Sequence, residues 1–488
     1  MTQKDILIFL SDQHTPLLSS YMGGPAKTPT MEQMAQNGIN CTAAYTPCPL
    51  CVPARMSMLS GKLPSKTGIL MNFDTLPNTT PTFVHSLAAA GYETVLIGRM
   101  HFVGADQRHG FQHRLVGDTT PVTWNRPLDT LGEIRGVFRD CFGEPHCTDL
   151  IGGGASPVLE YDKQVVQAAL DWLDMPHEKP QFIVVGTYGP HFPYVASPEK
   201  YRYYKETLTL PDSFCNLPDT LDPVLRIRAE HSQLNQDEAL QALAAYCGMI
   251  EETDEHLGCI RRRFFDFGTR HGRDGVLMYV SDHGDQCGER GLYGKMSFFE
   301  KSARIPWLIE GSGIEAGKSL PFPVSLMDMG PTICSLAQTS PPPKQDGCDI
   351  LSESPALESR TVVSELYGAT GAPQLQANPH LKVTLARMIR KGQYKLTTRH
   401  GYEAWDALFD LNTDPGETTN LIFTLPEVAA ELRMYLDTLP PASEVSVEQE
   451  QRMADNRLLS QAEAALMPPN NEMWCNNPEE AKLPPQVV

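Results

Sequence analysis

Four short apolar runs punctuate the first 280 residues: Ile6–Leu10, Thr94–Ile97, Phe182–Gly186 and Val276–Val280. Each ends in polar residues or glycine, and none alternates apolar with polar positions. That pattern predicts strands covered on both faces, as in a parallel sheet. Helical spacing lies between them. Pro29–Asn37 follows Thr28 as a candidate N-cap and stops at Gly38; Pro81–Ala90 follows Thr80 and stops at Gly91. Leu159–Leu173 and Glu238–Phe265 repeat apolar residues every three or four positions and predict longer helices. Strands alternating with helices predict an α/β sheet with helices on both faces, and such sheets collect ligands beyond the carboxyl ends of their strands.

After the proline-rich connector Ser340–Lys344 the pattern changes. Thr361–Leu366, Ala386–Ile389, Tyr394–Thr398 and Ala407–Leu411 read as short strands, and Pro426–Leu436 as a helix, together a small antiparallel sheet with one packed helix. The expected organisation is therefore a catalytic α/β domain over 1–345, a small α+β subdomain over 346–440, and a tail over 441–488. That tail begins with a polar helix, Glu448–Leu466, and ends in a Pro- and Asn-rich stretch that is expected to be either mobile or docked at an oligomer interface.

Composition narrows the partners. Of 488 residues, 41% are hydrophobic and 20% charged, ordinary for a globular protein, and the formal net charge is -19. Nucleic acid is excluded as a partner by this acidic balance, because backbone binding needs a basic footprint. A small anion is not excluded, since a few buried cations can make a positive pocket inside an acidic shell. No run approaches the roughly 18 apolar residues of a membrane span. MTQKDILIFLSDQH enters a core strand directly, without the pattern of an export signal, so the expectation is a cytoplasmic protein whose 12 cysteines stay reduced.

Candidate chemistry gathers at the strand ends. Asp12-Gln13 follows the first strand and Asp282-His283 follows the fourth. Either pair alone could be a turn or a helix cap. Together they offer two carboxylates, an amide oxygen and an imidazole, an oxygen-rich set suited to a hard divalent cation. A second cluster is Cys51-Val52-Pro53-Ala54-Arg55, followed by Met58-Leu59-Ser60-Gly61. Pro53 suits the first turn of a helix and Gly61 its end, so residue 51 would occupy a helix N-terminus, where free N–H groups favour an anion. Arg55, one turn on, could hold the same oxyanion. A buried reduced cysteine, a thiol nucleophile, or a redox pair with Cys48 are the competing readings of Cys51.

CVPAR with MLSG, preceded by Asp12-Gln13 and followed far on by Asp282-His283, resembles the formylglycine-dependent sulfatases of the alkaline-phosphatase-like superfamily. GRMHFVGADQRHGFQHRL (98–115) and SDHGDQCGERGLYGKMSFFEKSARIP (281–306) most resemble choline sulfatase within that family, with features shared with phosphonate monoester hydrolases. The resemblance implies a large mixed sheet flanked by helices, with a small C-terminal antiparallel subdomain. It implies Asp12, Gln13, Asp282 and His283 as ligands of one divalent metal, calcium first, with manganese or magnesium as alternatives. It makes Cys51 the residue that a formylglycine-generating enzyme converts to the aldehyde, and Arg55 the group that stabilises its hydrate. His101, His191 and Lys295 become catalytic groups, with Lys295 or His191 as the acid and His101 as a base. Asn72 and Arg99 line the sulfate pocket, Arg99 standing where the family usually has Lys. Trp124 is a candidate wall for a quaternary ammonium. The implied reaction is hydrolysis of a small anionic sulfate ester, choline sulfate or another. Hydrolysis of phosphonate monoesters or phosphodiesters on the same framework is the alternative, and a catalytically silent metal- or anion-binding protein stands behind both.

Overall fold

The structure, a computed structural model, describes residues 3–104, 106–118, 147–211, 213–214, 221–231, 234–368, 384–465 and 486–487. Eight strands form the main sheet: β1 (Asp5–Ser11), β2 (Gly38–Cys41), β3 (Glu93–Gly98), β4 (His113–Leu115), β5 (Gln181–Gly186), β6 (Gly275–Ser281), β7 (Trp307–Gly311) and β8 (Lys318–Leu320). Their order across the sheet is β8-β2-β7-β6-β1-β5-β3-β4. The five strands from β6 to β4 run parallel; β7 is antiparallel to both its neighbours, and β8 is parallel to β2. The sheet is mixed, as the resemblance implies.

The four apolar runs are its centre. In β1 and its neighbours, alternate residues face opposite sides, following the twofold period of a strand. Leu7, Phe9, Val95, Ile97, Ile183, Val185, Leu277 and Tyr279 pack on α4 (Pro157–Asp174) and α5 (Gln236–His271). Ile6, Ile8, Leu10, Leu96, Val184, Met278 and Val280 pack on α2 (Cys51–Ser60), α3 (Phe83–Ala89) and α6 (Met329–Leu336). Both faces are thus covered, which is why these strands carry no polar alternation.

Several helix starts and one helix cap differ from expectation. The helix expected over Pro81–Ala90 begins at Phe83, because Thr82 rather than Thr80 caps it in a reciprocal box with His85. Ser156 caps α4, which begins at Pro157, two residues before its expected start. In α1 (Pro29–Asn37), Thr28 does not cap: its hydroxyl is taken by Ser20, and the first free N–H groups, on Thr30 and Met31, donate to Asp254 of α5 at 2.9 Å each. Gly38 ends α1 as expected but opens β2 with no intervening loop.

The C-terminal part is an antiparallel sheet of β9 (Thr361–Tyr367), β10 (Leu385–Lys391), β11 (Tyr394–Arg399) and β12 (Ala407–Asp410), in sequential order. Helix α7 (Pro426–Leu436) packs Ala429 and Leu432 on Ile389, Leu396 and Leu408. The last long helix, α8 (Ala442–Ala465), starts six residues earlier than predicted and lies against the same chain: Gln449 donates to Asp74 and Arg452 to the Gly68 carbonyl.

Candidate active site

Strand ends deliver most of the site. Asp12-Gln13 leaves β1, Arg99 and His101 leave β3, His191 follows β5, and Asp282-His283 leaves β6, all at carboxyl ends of parallel strands. Two glycines make room for the β3 exit. Gly98 has φ +88 and lies opposite Gly186, whose Cβ, if present, would fall 1.9 Å from the Arg99 carbonyl oxygen. Gln13 and His101 themselves adopt left-handed backbone, φ 64 and 59, an uncommon conformation for such residues that turns each side chain out of its strand direction.

Cys51 enters from the other direction, as the first residue of the wholly buried α2, and is 1% exposed. Its Sγ lies 3.2 Å from His283 Nε2, 3.2 Å from Lys295 Nζ and 3.9 Å from Asp12 Oδ1. Asp12, Cys51, Asp282 and His283 each bring one donor atom into a group spanning at most 4.8 Å. Arg55 bridges the two carboxylates, Nε to Asp282 at 2.7 Å and Nη2 to Asp12 at 3.0 Å. Burial alone would push the Asp12 carboxyl up, but Arg99 and Arg55 outweigh it and hold it well below the usual range.

Those donors fit a cation. The Nδ1 of His283 faces the Gly284 carbonyl at 3.1 Å, which places the proton there and leaves the Nε2 lone pair toward Asp12 and Asp282, 3.8 and 3.7 Å away. The Gln13 amide nitrogen donates to Asp285 at 2.5 Å, so its Oε1 is turned inward, 2.7 Å from Lys295 Nζ. Two carboxylates, an amide oxygen and one imidazole match the preference of a hard divalent ion.

The remaining expected residues fall around this centre. Lys295 Nζ and His191 Nε2 are 2.7 Å apart. His191 Nδ1 meets the Phe192 carbonyl at 2.7 Å and carries the ring proton, so Nε2 accepts and the ammonium donates. Burial first, then Lys295, holds His191 well below the ordinary imidazole range. Asn72 Oδ1 accepts the Val52 N–H at 3.0 Å, one of the free donors at the start of α2. Trp124 lies outside the described residues. The competing thiol readings weaken here: burial, then Asp12, pushes the Cys51 thiol up to about 11, the opposite of an activated thiolate. Cys48 and Cys51 are not joined by a disulfide.

Three further contributors are not among the expected site residues. Asp118, a lone acid in a loop, pairs with Arg99 at 3.1 Å and accepts the His101 N–H at 2.6 Å. Asp285 anchors Gln13, Tyr194 and the Gly294 N–H. Arg228 donates to the carbonyls of Lys295 and Met296 at 2.6 and 2.8 Å, fixing the loop that presents Lys295. The SDHGDQCGERG stretch flags Asp285; nothing in spacing or composition flags the other two.

Cys51, ringed by buried carboxylates and fixed cations, thus lies at the carboxyl edge of this sheet. The sulfatase family matches residues 4–339, and the C-terminal region of N-sulphoglucosamine sulphohydrolase matches 288–439. Choline-sulfatase of Rhizobium meliloti (strain 1021) is 33% identical over 450 residues, covering 86% of this chain and 82% of that protein. Among solved structures, a protein in complex with its substrate D-glucosamine-2-N,6-O-disulfate superposes with TM-score 0.71 at 19% identity, over 92% of this chain and 99% of the other. The phosphonate monoester hydrolase of Agrobacterium radiobacter gives 0.69 at 18%, over 92% and 96%. The chain belongs to the sulfatase family, within the alkaline-phosphatase-like group, and is a sulfuric ester hydrolase.

Proposed function

We propose that the protein hydrolyses a small organic sulfate ester at Cys51 after that residue has been converted to formylglycine by a formylglycine-generating enzyme, with one divalent cation held by Asp12, Gln13, Asp282 and His283. The observation that carries this reading is the crowding of Asp12, His283 and Lys295 around Cys51 Sγ, within 3.2 to 3.9 Å. The aldehyde, hydrated, would supply an oxygen nucleophile that can also release sulfate without a second attack at sulfur. The cation, calcium by the oxygen-rich donor set, would supply positive charge at the nucleophile and at one sulfuryl oxygen.

The chain's own side chains do the rest. Asp12 Oδ1 lies 3.9 Å from Cys51 Sγ and is placed to take the nucleophile's proton. Arg55 and Lys295 hold fixed positive charge where negative charge spreads, each worth roughly 3 kcal/mol in such a site. Lys295 carries the mobile proton of the Lys295–His191 pair, so it serves as the acid for the leaving oxygen and His191 orients it. Asn72 steadies the first turn of α2.

For the alcohol half, choline sulfate is the first ester to test, on the strength of the 33% identical relative. One feature argues for breadth: the Glu365 carboxylate of β9, a buried acid that could otherwise face a cationic alcohol, is committed to the Ser65 N–H at 2.8 Å and to Arg387 at 2.9 Å. Purified enzyme should be assayed against choline sulfate, 4-nitrophenyl sulfate and a phenylphosphonate monoester, with peptide mass spectrometry across 50–55. Sulfate esters should lead in kcat/KM and the peptide should carry the aldehyde. A clear phosphonate preference, or full activity with an intact Cys51 thiol, would overturn the reading.

A further inference from the structure

The resemblance gives His101 the work of a base. Its surroundings give it a different protonation. Arg99 Nη2 stands 2.9 Å from His101 Nδ1, and a guanidinium can only donate. Nδ1 must therefore accept, and the single proton of the neutral ring sits on Nε2. Burial, then the adjacent Arg99 charge, keeps the ring well below the ordinary imidazole range, so the neutral form is the relevant one. A ring in that state donates at Nε2 and has no lone pair there with which to take a proton.

The same geometry shows what enforces the state. Arg99 is fixed at three atoms: Nε on Asp12 at 2.5 Å, Nη1 on Asp118 at 3.1 Å and Nη2 on His101. The Tyr188 ring lies under its guanidinium carbon at 4.3 Å. Asp118 acts twice. One oxygen holds Arg99; the other accepts the His101 N–H at 2.6 Å and the Met100 N–H at 3.3 Å, bracing the left-handed turn that presents the imidazole. Both residues are buried with Asp118. A lysine at position 99 has one nitrogen and could not meet Asp12, Asp118 and Nδ1 in this planar fork.

We propose that Asp118 is a positioning residue which, through Arg99, locks His101 as a hydrogen-bond donor at Nε2, so that His101 stabilises negative oxygen at the reacting centre and does not act as its base. This rests on the sulfatase reading only for what the donor faces; the tautomer itself does not depend on it.

The test has two independent readouts. In protein labelled with 15N-histidine, the His101 resonances, assigned by their loss in His101→Gln, should show a protonated Nε2 and an unprotonated Nδ1 from pH 6 to 8. In Asp118→Asn the two nitrogens should move toward averaged values, and Asp118→Glu should restore the wild-type pattern in part. On the wild type's best sulfate ester, Asp118→Asn should lower kcat on the order of 10²-fold, the scale of a small misplacement of catalytic groups, with KM changed less than about threefold, and Asp118→Glu should recover part of it. A proton on Nδ1 in the wild type, or an Asp118→Asn enzyme with unchanged tautomer and kcat, would overturn the proposal. The wild-type spectrum decides the tautomer even where Asp118→Asn fails to fold. A wild type with the Nε2 proton but no sulfatase activity would sink the functional reading and leave the tautomer standing.

Discussion

At the scale of single residues, Arg55 makes the clearest demand on chemistry. One guanidinium spans Asp12 and Asp282, which descend from adjacent strands, and all three groups are fully buried. A lysine ammonium is a point charge and can neutralise one carboxylate well but not both in this fork. Arg55→Lys should lower kcat/KM by about 10²- to 10³-fold, the usual cost of one electrostatic contact in a preorganised site, and a lower melting temperature should accompany it. Lys295 makes a sharper test, because an acid matters in proportion to how poor the leaving group is. Lys295→Ala should reduce turnover of an alkyl sulfate by roughly 10²- to 10⁴-fold and that of 4-nitrophenyl sulfate much less. Equal losses on both esters would assign the acid elsewhere. The sequence announces the residues that sit beside a strand end or inside a compact motif: Asp12, Cys51, Arg55, Asp282. It is silent on Asp118 and Arg228, whose partners come from segments 17 to 68 residues away.

Helices show the same division between local and distant causes. Thr82 and Ser156 cap their own helices, and a close reading of the residues around each start would place them. Helix α1 is capped from across the molecule by Asp254, a group no local pattern could supply. Burial pushes that carboxyl up to about 6. An acid raised in the folded state binds its proton more tightly there than in the unfolded chain. Its contribution to stability is therefore largest below the unfolded value and is lost as pH rises through about 6. Between pH 7.5 and pH 5 wild type should gain about 1.4 kcal/mol that Asp254→Asn does not, seen as a change in the gap between their melting temperatures. A gap independent of pH would show that the carboxyl titrates normally. The tail helix α8 offers a second case. It lies on the turn that carries Asn72: Asp74 accepts from the Leu70 and Met71 N–H groups and from Gln449, and Arg452 reaches the Gly68 carbonyl. Gln449→Ala combined with Arg452→Ala should raise KM several-fold with little change in kcat, since the pair braces the pocket rim and not the reacting atoms; about 1 kcal/mol of stability should go with the two lost hydrogen bonds.

Across the whole molecule, the sheet's centre is what the apolar pattern reveals, and its flank is what it hides. Strands β1, β3, β5 and β6 are apolar runs because both faces are covered. Strands β2, β4 and β8 have three or four residues, too few for any period to register, and β7 gives the sheet its antiparallel member through pairing with β6 and β2 alone. The parallel centre nonetheless fixes the site, because it aims four strand ends at one edge. Asp12 and Asp282 leave the two adjacent strands β1 and β6, which share a seven-residue register from Asp5 opposite Gly275 to Ser11 opposite Ser281. A cation gripped by both would tie the middle of the sheet together at its open end, so its binding energy would appear as stability of the entire fold and not only as activity. A ligand present at a hundred times its dissociation constant adds about 2.7 kcal/mol to folding. Chelator-treated protein should therefore lose turnover and melt several degrees lower. Calcium should restore both together, along one binding curve, with manganese and magnesium as comparison ions. If turnover returns without any shift in melting, the ion is held mainly by substrate. If neither property responds to chelation, the acid cluster is a structural ion-pair network clasped by Arg55 and Arg99, and the metal leaves the mechanism.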